Sequence, residues 1–384
     1  MAVTSPGISP VAQPIFDTSP NFWLKDRRWD LTFMILSVLL VPLPYVFYLL
    51  GVELGLHPDV SRNVINGFVA VAVGGPHMMS TFLRTGLDGD FKKRYPMLIR
   101  SSIIIPLVVV SLAFLNLELL LTIFFFWAML HVLHQATYVT ELYNHNAGKI
   151  TSRRMTLISR AADYGVILTC LFPMAAYKIS QGSFEIGTND LTKVIPGFFQ
   201  QTWFFVVMAG IFFTALAVYI GKTVVEYRNG TINWPKTLFI SLSVAVFFPL
   251  AAFPNLDTAF QGANTWHSFQ YLPLTFYIIK LRQRAGVLDK SAPIVARFTK
   301  RDNEKTRGLY ALSAMLLGGS LAVFGIVYVL AGIIIPNIEP NRHFDIAYYT
   351  AILSFLWIHY YHDHFLFTNF EALDETYYQK QSAS

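Results

Sequence analysis

Residues 203–225 read WFFVVMAGIFFTALAVYIGKTVV, a run of 23 residues in which Lys222 is the only charge. At a rise of 1.5 Å per residue such a helix is about 35 Å long, enough to cross the hydrocarbon core of a bilayer. Working outward, comparable apolar stretches occupy about 31–52, 62–83, 99–115, 117–141, 158–177, 236–253, 260–280, 308–335 and 346–368. With 203–225 they predict an all-α, polytopic membrane bundle of about ten transmembrane helices. The third and fourth are separated only by Asn116-Leu117-Glu118. Composition agrees. Of 384 residues 54% are hydrophobic, 15% aromatic and only 14% charged, against about 25% charged in an ordinary soluble domain. A soluble enzyme, a disordered chain and a disulfide-stapled secreted domain are excluded. The lone Cys170 has no partner for an internal disulfide.

The distribution of Lys and Arg tests the count of spans, because cytoplasmic loops are enriched in both. With the N-terminus inside, 25 of the 29 basic residues fall on the cytoplasmic side. Only Arg62, Lys178, Lys193 and Arg342 fall outside. Miscounting by one helix would destroy that asymmetry. Ten spans with both termini cytoplasmic is therefore the expected topology. The net charge of +6 is explained by orientation, and nucleic acid is not an expected partner. Residues 1–28, rich in Ser, Pro and Gly at their start, read as a disordered cytoplasmic tail. Residues 29–370 read as one transmembrane domain, and 371–384 as a short cytoplasmic tail. The basic loop 281–307 owes its charge to topology, with contact to anionic headgroups as the alternative.

Seven of the ten histidines lie inside expected spans: His77 on the second, His131 and His134 on the fourth, His267 on the eighth, and His359, His362 and His364 on the tenth. An ionisable residue in a span is costly and usually faces the bundle interior. His131 and His134 are i,i+3 neighbours and share a helix face, as do His359 and His362, while Asp363 is four residues on from His359. Their depths are compatible with one cluster in the cytoplasmic half. One buried histidine is often simply hydrogen-bonded across helices. Seven on four helices point to a metal. Neutral imidazole suits iron, zinc and copper, and histidines with a carboxylate and open positions are the arrangement of oxygen-activating non-haem iron. The expected ligands are His77, His131, His134, His267, His359 and His362, with Asp363 as a ligand or catalytic base. Gln135, Tyr138, Gln270 and Tyr271 would orient the imidazoles. Haem held by two histidines and a transporter with a histidine relay are the alternatives. Gly74-Gly75-Pro76 is expected to break the second span beside His77, and Arg84 to pair with Asp88 or dock a headgroup. Trp266 is expected to face lipid or a neighbouring helix.

The order of these pieces distantly resembles the bacterial β-carotene 15,15′-dioxygenase family, membrane proteins that form retinal. Gly75-Pro76-His77 looks similar to an early Gly-x-Pro-His segment of that family. His131 and His134, then His267, then His359, His362 and Asp363 follow in comparable order. Departures are that His77 is followed by Met78-Met79-Ser80-Thr81-Phe82, without an acidic residue, and that His267 is followed by Gln270 and Tyr271, without a second histidine. The resemblance implies iron at these histidines, an O2-dependent oxidation or cleavage of a hydrophobic substrate such as a polyene or lipid, and a place in a bacterial inner membrane. The desaturase and hydroxylase class uses adjacent His-His pairs, and this chain has none.

Overall fold

The computed structural model describes residues 22–151, 157–187, 189–254, 256–301, 306–335, 337 and 339–383. Its long helices are α1 (Arg27–Glu53), α2 (58–84), α3 (Pro96–Leu115), α4 (Leu117–Gly148), α5 (Leu157–Ser180), α6 (Thr202–Arg228), α7 (Trp234–Ala252), α8 (Leu256–Arg284), α9 (Arg307–Ile334) and α10 (Pro340–Leu366). Seven of them, α1, α3 to α7 and α9, are long and apolar enough to cross a membrane. The other three match them in length but carry more polar side chains. Those three, α2, α8 and α10, bear most of the intraspan histidines.

The arrangement follows from this difference. On α6 only Phe212 and Tyr219 are buried. They are seven residues apart, so a single narrow stripe faces the bundle. Val206, Phe213 and Ile220 are more than half exposed, an outward apolar surface that water would penalise and hydrocarbon tolerates. By contrast α8 is buried along most of its length, including Asp257, His267, Ser268, Gln270 and Thr275. The polar side chains of α8 are buried together with its apolar ones, whereas α6 turns most of its apolar surface outward. Trp266 faces a neighbouring helix, its ring edge against Phe247 at 4.7 Å between centroids.

Two helices leave regular geometry close to the centre, and each irregularity is repaired by a side chain. In α2 residues Ala70–Gly74 are π-helical, so the Gly-Gly-Pro stretch loosens the helix without breaking it. Pro76 has no N–H to give the carbonyl four residues earlier. That carbonyl, Ala72 O, instead accepts the Tyr310 hydroxyl from α9 at 2.6 Å. In α1 the backbone passes from π-helical to 3-10 geometry near Ile35. The Met34 carbonyl there accepts the Gln270 amide at 2.6 Å. Gly262 of α8 lies against the Val41 carbonyl of α1, so closely that a Cβ would collide with it.

Lys222 and Lys236, counted as cytoplasmic-side charges, lie within helices. Both ammonium groups bind the buried Asp163 carboxylate, at 2.7 and 2.9 Å, and Lys236 also reaches Asn144 Oδ1 at 3.1 Å. This clamp ties α4, α5, α6 and α7. Removing Asp163 would take the shared carboxylate from two largely buried cations, leaving Lys222 to Glu226 at 3.2 Å and Lys236 with Asn144, a costly way to break a buried pair.

Of the expected N-terminal tail, residues 1–21 lie outside the described residues. Residues 22–28 pack on the bundle: Trp23 is buried, its carbonyl accepts from Asn146 at 2.8 Å, and the Asp30 carboxylate accepts from Leu24 and Lys25 N–H and from Tyr143. In the basic loop, 302–305 lie outside the described residues. Leu288–Ser291 and Pro293–Arg301 are helical and bury Leu288, Val295 and Ala296 against α8 and α9. The Lys300 ammonium, hydrogen-bonded to Asp289, holds that exposed carboxyl below its usual range. The C-terminal segment forms a helix, Glu375–Ala383, with Tyr378 buried and its hydroxyl on Ala372 O.

Candidate metal centre

Four helices each send one imidazole to a common point: His77 from α2, His131 from α4, His267 from α8 and His359 from α10. All four are buried. Each offers one ring nitrogen, and these nitrogens lie within 4.8 Å of one another. The His77 ring centroid is 4.6 Å from that of His267 and 4.5 Å from that of His359. His131 is 5.0 and 4.8 Å from the same two. Each of the four also has a buried nitrogen with no hydrogen-bond partner: His77 Nδ1, His131 Nε2, His359 Nε2 and both nitrogens of His267. An unpaired buried polar group costs roughly 1–3 kcal/mol, so four together in one place form a donor set in need of an acceptor. A metal with bonds of about 2.1 Å holds its nitrogens roughly 3–4 Å apart, and the four rings enclose a space of that order.

A hydroxyl and carboxylate network fixes one ring. His359 Nδ1 lies 2.6 Å from Thr81 Oγ1. Thr81 donates to Asp363 Oδ1 at 2.9 Å and lies 2.7 Å from the Tyr271 hydroxyl. Tyr271 also donates to Asp363 Oδ1, at 2.7 Å. With Nδ1 engaged, His359 is left with Nε2 for the centre, the arrangement in which an outer partner sets which nitrogen a metal takes. Asp363 Oδ2 has no hydrogen-bond partner and sits 3.4 Å from His359 Nδ1 and 3.9 Å from His131 Nε2. Tyr360 stacks on His131 at 4.2 Å.

Two expected ligands lie outside this group. Both nitrogens of His362 are occupied, Nε2 by Ser102 at 2.8 Å and Nδ1 by Thr85 at 3.0 Å, so the ring faces α2 and α3. His134 is half-buried and packs against the exposed His364 and against Phe367, at 5.4 and 5.2 Å. The reason is geometric. Residues three apart share a face but differ by about 60° in direction and one turn in height. A centre this small takes one histidine from each helix.

The expected supporting residues also divide. Tyr271 touches the network, and ring edges bring it within 4.5 Å of His77. Gln135 instead donates to the His267 carbonyl at 3.1 Å, fixing backbone. Tyr138 donates to Asn369 O and Gln270 to α1. Thr81 was absent from the expected set. Its signal was its position, one turn after His77 on the same face. Asp88 does not pair with Arg84. It caps the helix Gly89–Arg94 by accepting from Asp90 and Phe91 N–H and pairs with Arg282.

A small, partly open cavity lies near the centre, though none of the four histidines lines it. Gly74, Gly75 and Met78 flank His77, and Phe260, Gln261, Asn264 and Tyr360 complete much of its lining. Its open space is about 60 Å³, room for roughly two waters and well below the several hundred cubic ångströms of a typical ligand pocket. Admitting a large apolar molecule requires the helices around it to part. Comparison with protein-family models, with curated proteins and with solved structures finds no match to this chain.

Proposed function

We propose that the chain is a ten-span protein of a bacterial inner membrane, with both termini cytoplasmic. Its four-histidine centre would hold non-haem iron and serve the O2-dependent oxidation or cleavage of a hydrophobic substrate, a polyene or lipid. The observation that carries this reading is the convergence, from four helices, of buried ring nitrogens that have no other partner. His77, His131, His267 and His359 would hold the metal. Bound iron supplies oxygen activation. The chain's own residues do the rest. Thr81 and Asp363 hold the His359 ring in one orientation. Asp363 Oδ2, unpaired beside His131, is placed to hold a proton. The apolar outer helices would keep bulk water away and offer an approach from the bilayer.

Zinc fits the same nitrogens. Haem fits less well, because imidazoles converging with centroids 4.5–5.0 Å apart leave no slot for a macrocycle between them. The test is elemental analysis of the detergent-purified chain, with an absorption spectrum of the same sample. Iron at about one per chain without a Soret band is the expected result, followed by oxygen uptake when carotenoids or lipids are added. No stoichiometric metal, in protein expressed with iron and zinc supplied, would overturn the reading. A Soret band would move the protein to the haem alternative.

A further inference from the structure

Arg84 ends α2 two turns below His77. It is 6% exposed, and among the described residues it makes no hydrogen bond and no ion pair. Buried guanidinium groups are ordinarily paired, because taking a charge out of water costs several kcal/mol. The expected partner, Asp88, is committed elsewhere: its carboxylate receives Arg282 and two backbone N–H groups. Arg84 instead lines a cavity of about 260 Å³ between the end of α2, the helix Gly89–Arg94, the end of α10 and the C-terminal helix. Arg94 and Arg282 line the same cavity, together with Asp90, Tyr95, Thr368 and Tyr377. Arg94 has no ion pair either. It lies over the Tyr95 ring at 5.3 Å.

We propose that this cavity binds a phosphate group, held by Arg84 and Arg94. Three guanidinium groups face two carboxylates there, and Asp88 is already neutralised by Arg282. The balance is one positive charge in a partly desolvated recess. A guanidinium fork matches the geometry of a phosphate's oxygens, and arginine clusters are a recurrent way of holding that group. The volume suits a phosphate with a few waters, at about 30 Å³ per water. Phe91, Phe365 and Leu366 supply apolar walls that strengthen the attraction by excluding solvent. The phosphate comes either from a lipid headgroup or from free phosphate. The site is independent of which metal the histidines hold.

The test uses the purified full chain in dodecyl maltoside, which carries no phosphate. The unfolding midpoint is followed by intrinsic tryptophan fluorescence. Inorganic phosphate is titrated at low millimolar concentration with ionic strength held constant by chloride. In parallel, phosphatidylglycerol is added to the same dodecyl maltoside micelles, which otherwise hold no phosphate. A ligand of the folded state raises the midpoint as its concentration climbs. A rise with inorganic phosphate identifies free phosphate. A rise only with phosphatidylglycerol identifies a headgroup. In either case Arg84→Gln should abolish the rise and Arg84→Lys should restore part of it. If Arg84→Gln does not accumulate as folded protein, the exposed Arg94→Gln carries the comparison and should shrink the rise. No rise in either arm, or a rise that these variants leave unchanged, overturns the proposal.

Discussion

A buried ring nitrogen without a partner is the most informative kind of residue in this protein, and the histidines differ sharply in having one. His359 Nε2 and His131 Nε2 are orphaned, whereas both nitrogens of His362 rest on hydroxyls. The expected consequence is a division in metal content. His131→Ala and His359→Ala should each purify without stoichiometric metal. His362→Ala should keep its metal while losing roughly 1–3 kcal/mol of stability from stranded hydroxyl partners. Elemental analysis beside chemical unfolding in detergent reads both. Metal loss in the His362 variant would place that ring at the centre after all. A second expectation concerns Tyr271. Tyr271→Phe leaves every histidine in place but removes a donor to Asp363. Outer partners of metal ligands are typically worth about 10- to 100-fold in affinity, so the variant should need correspondingly more free metal for half-saturation in a chelator competition. Which member of each His-x-x-His pair turns inward was not legible in the sequence, because both members lie on the inward half of the helix; the hydroxyls of Ser102 and Thr85 hold His362, and His134 packs against His364 and Phe367. Thr81 had only its place one turn after His77 as a signal, and a threonine in a span is usually bound only to its own helix.

At the scale of helices, the positions of all ten long segments were legible, seven of them because a run of about twenty apolar residues has few other uses. What could not be read was their local geometry. Gly74-Gly75-Pro76 signalled an irregularity, and whether it is a break or a π-helical stretch depends on a distant acceptor's partner, Tyr310. Tyr310→Phe should therefore lower stability by about 1 kcal/mol, seen as an earlier midpoint in chemical unfolding. An unchanged midpoint would show that Ala72 O finds another donor. Gly262 carries a stricter constraint. Its absent Cβ makes room for the Val41 carbonyl, a backbone atom that no rotamer change can move. Gly262→Ala should cost about 1–3 kcal/mol or more, measured the same way, and a neutral result would mean that α1 and α8 can slide apart.

For the whole molecule, the question is how many helices cross. Composition alone supports seven, and the distribution of basic residues supports ten. The two counts disagree about particular residues. With ten spans Lys193 and Lys290 lie on opposite faces of the membrane. With only the seven apolar helices crossing, they lie on the same face. Both are exposed, and the native Cys170 is wholly buried. Lys193→Cys should react with a membrane-impermeant maleimide on intact cells, and Lys290→Cys only after lysis. Equal labelling of the two would remove the ten-span topology. The sequence argues for ten through a simple contrast, Lys and Arg on one side of each turn, but concealed that Lys222 and Lys236 serve Asp163 within the bundle.

The polarity of α2, α8 and α10 has a consequence for how the chain is made. A helix leaving the translocon partitions into lipid according to its own side chains, and polar or ionisable residues along it oppose that. These three helices are poor candidates to leave by themselves, yet each follows a strongly apolar predecessor after a few residues: α1, α7 and α9. They are expected to enter as the second arm of a hairpin. With α1 deleted, a glycosylation reporter placed after Arg84 should stay on the cytoplasmic side, because α2 then fails to cross. If α2 inserts unaided from the cytoplasmic N-terminus, the reporter will move to the opposite side. The four converging histidines would thus arrive in four instalments during synthesis, His131 on α4 between the first and second of these hairpins, and the ribosome would have nearly finished the chain before a cation could find all its proposed ligands.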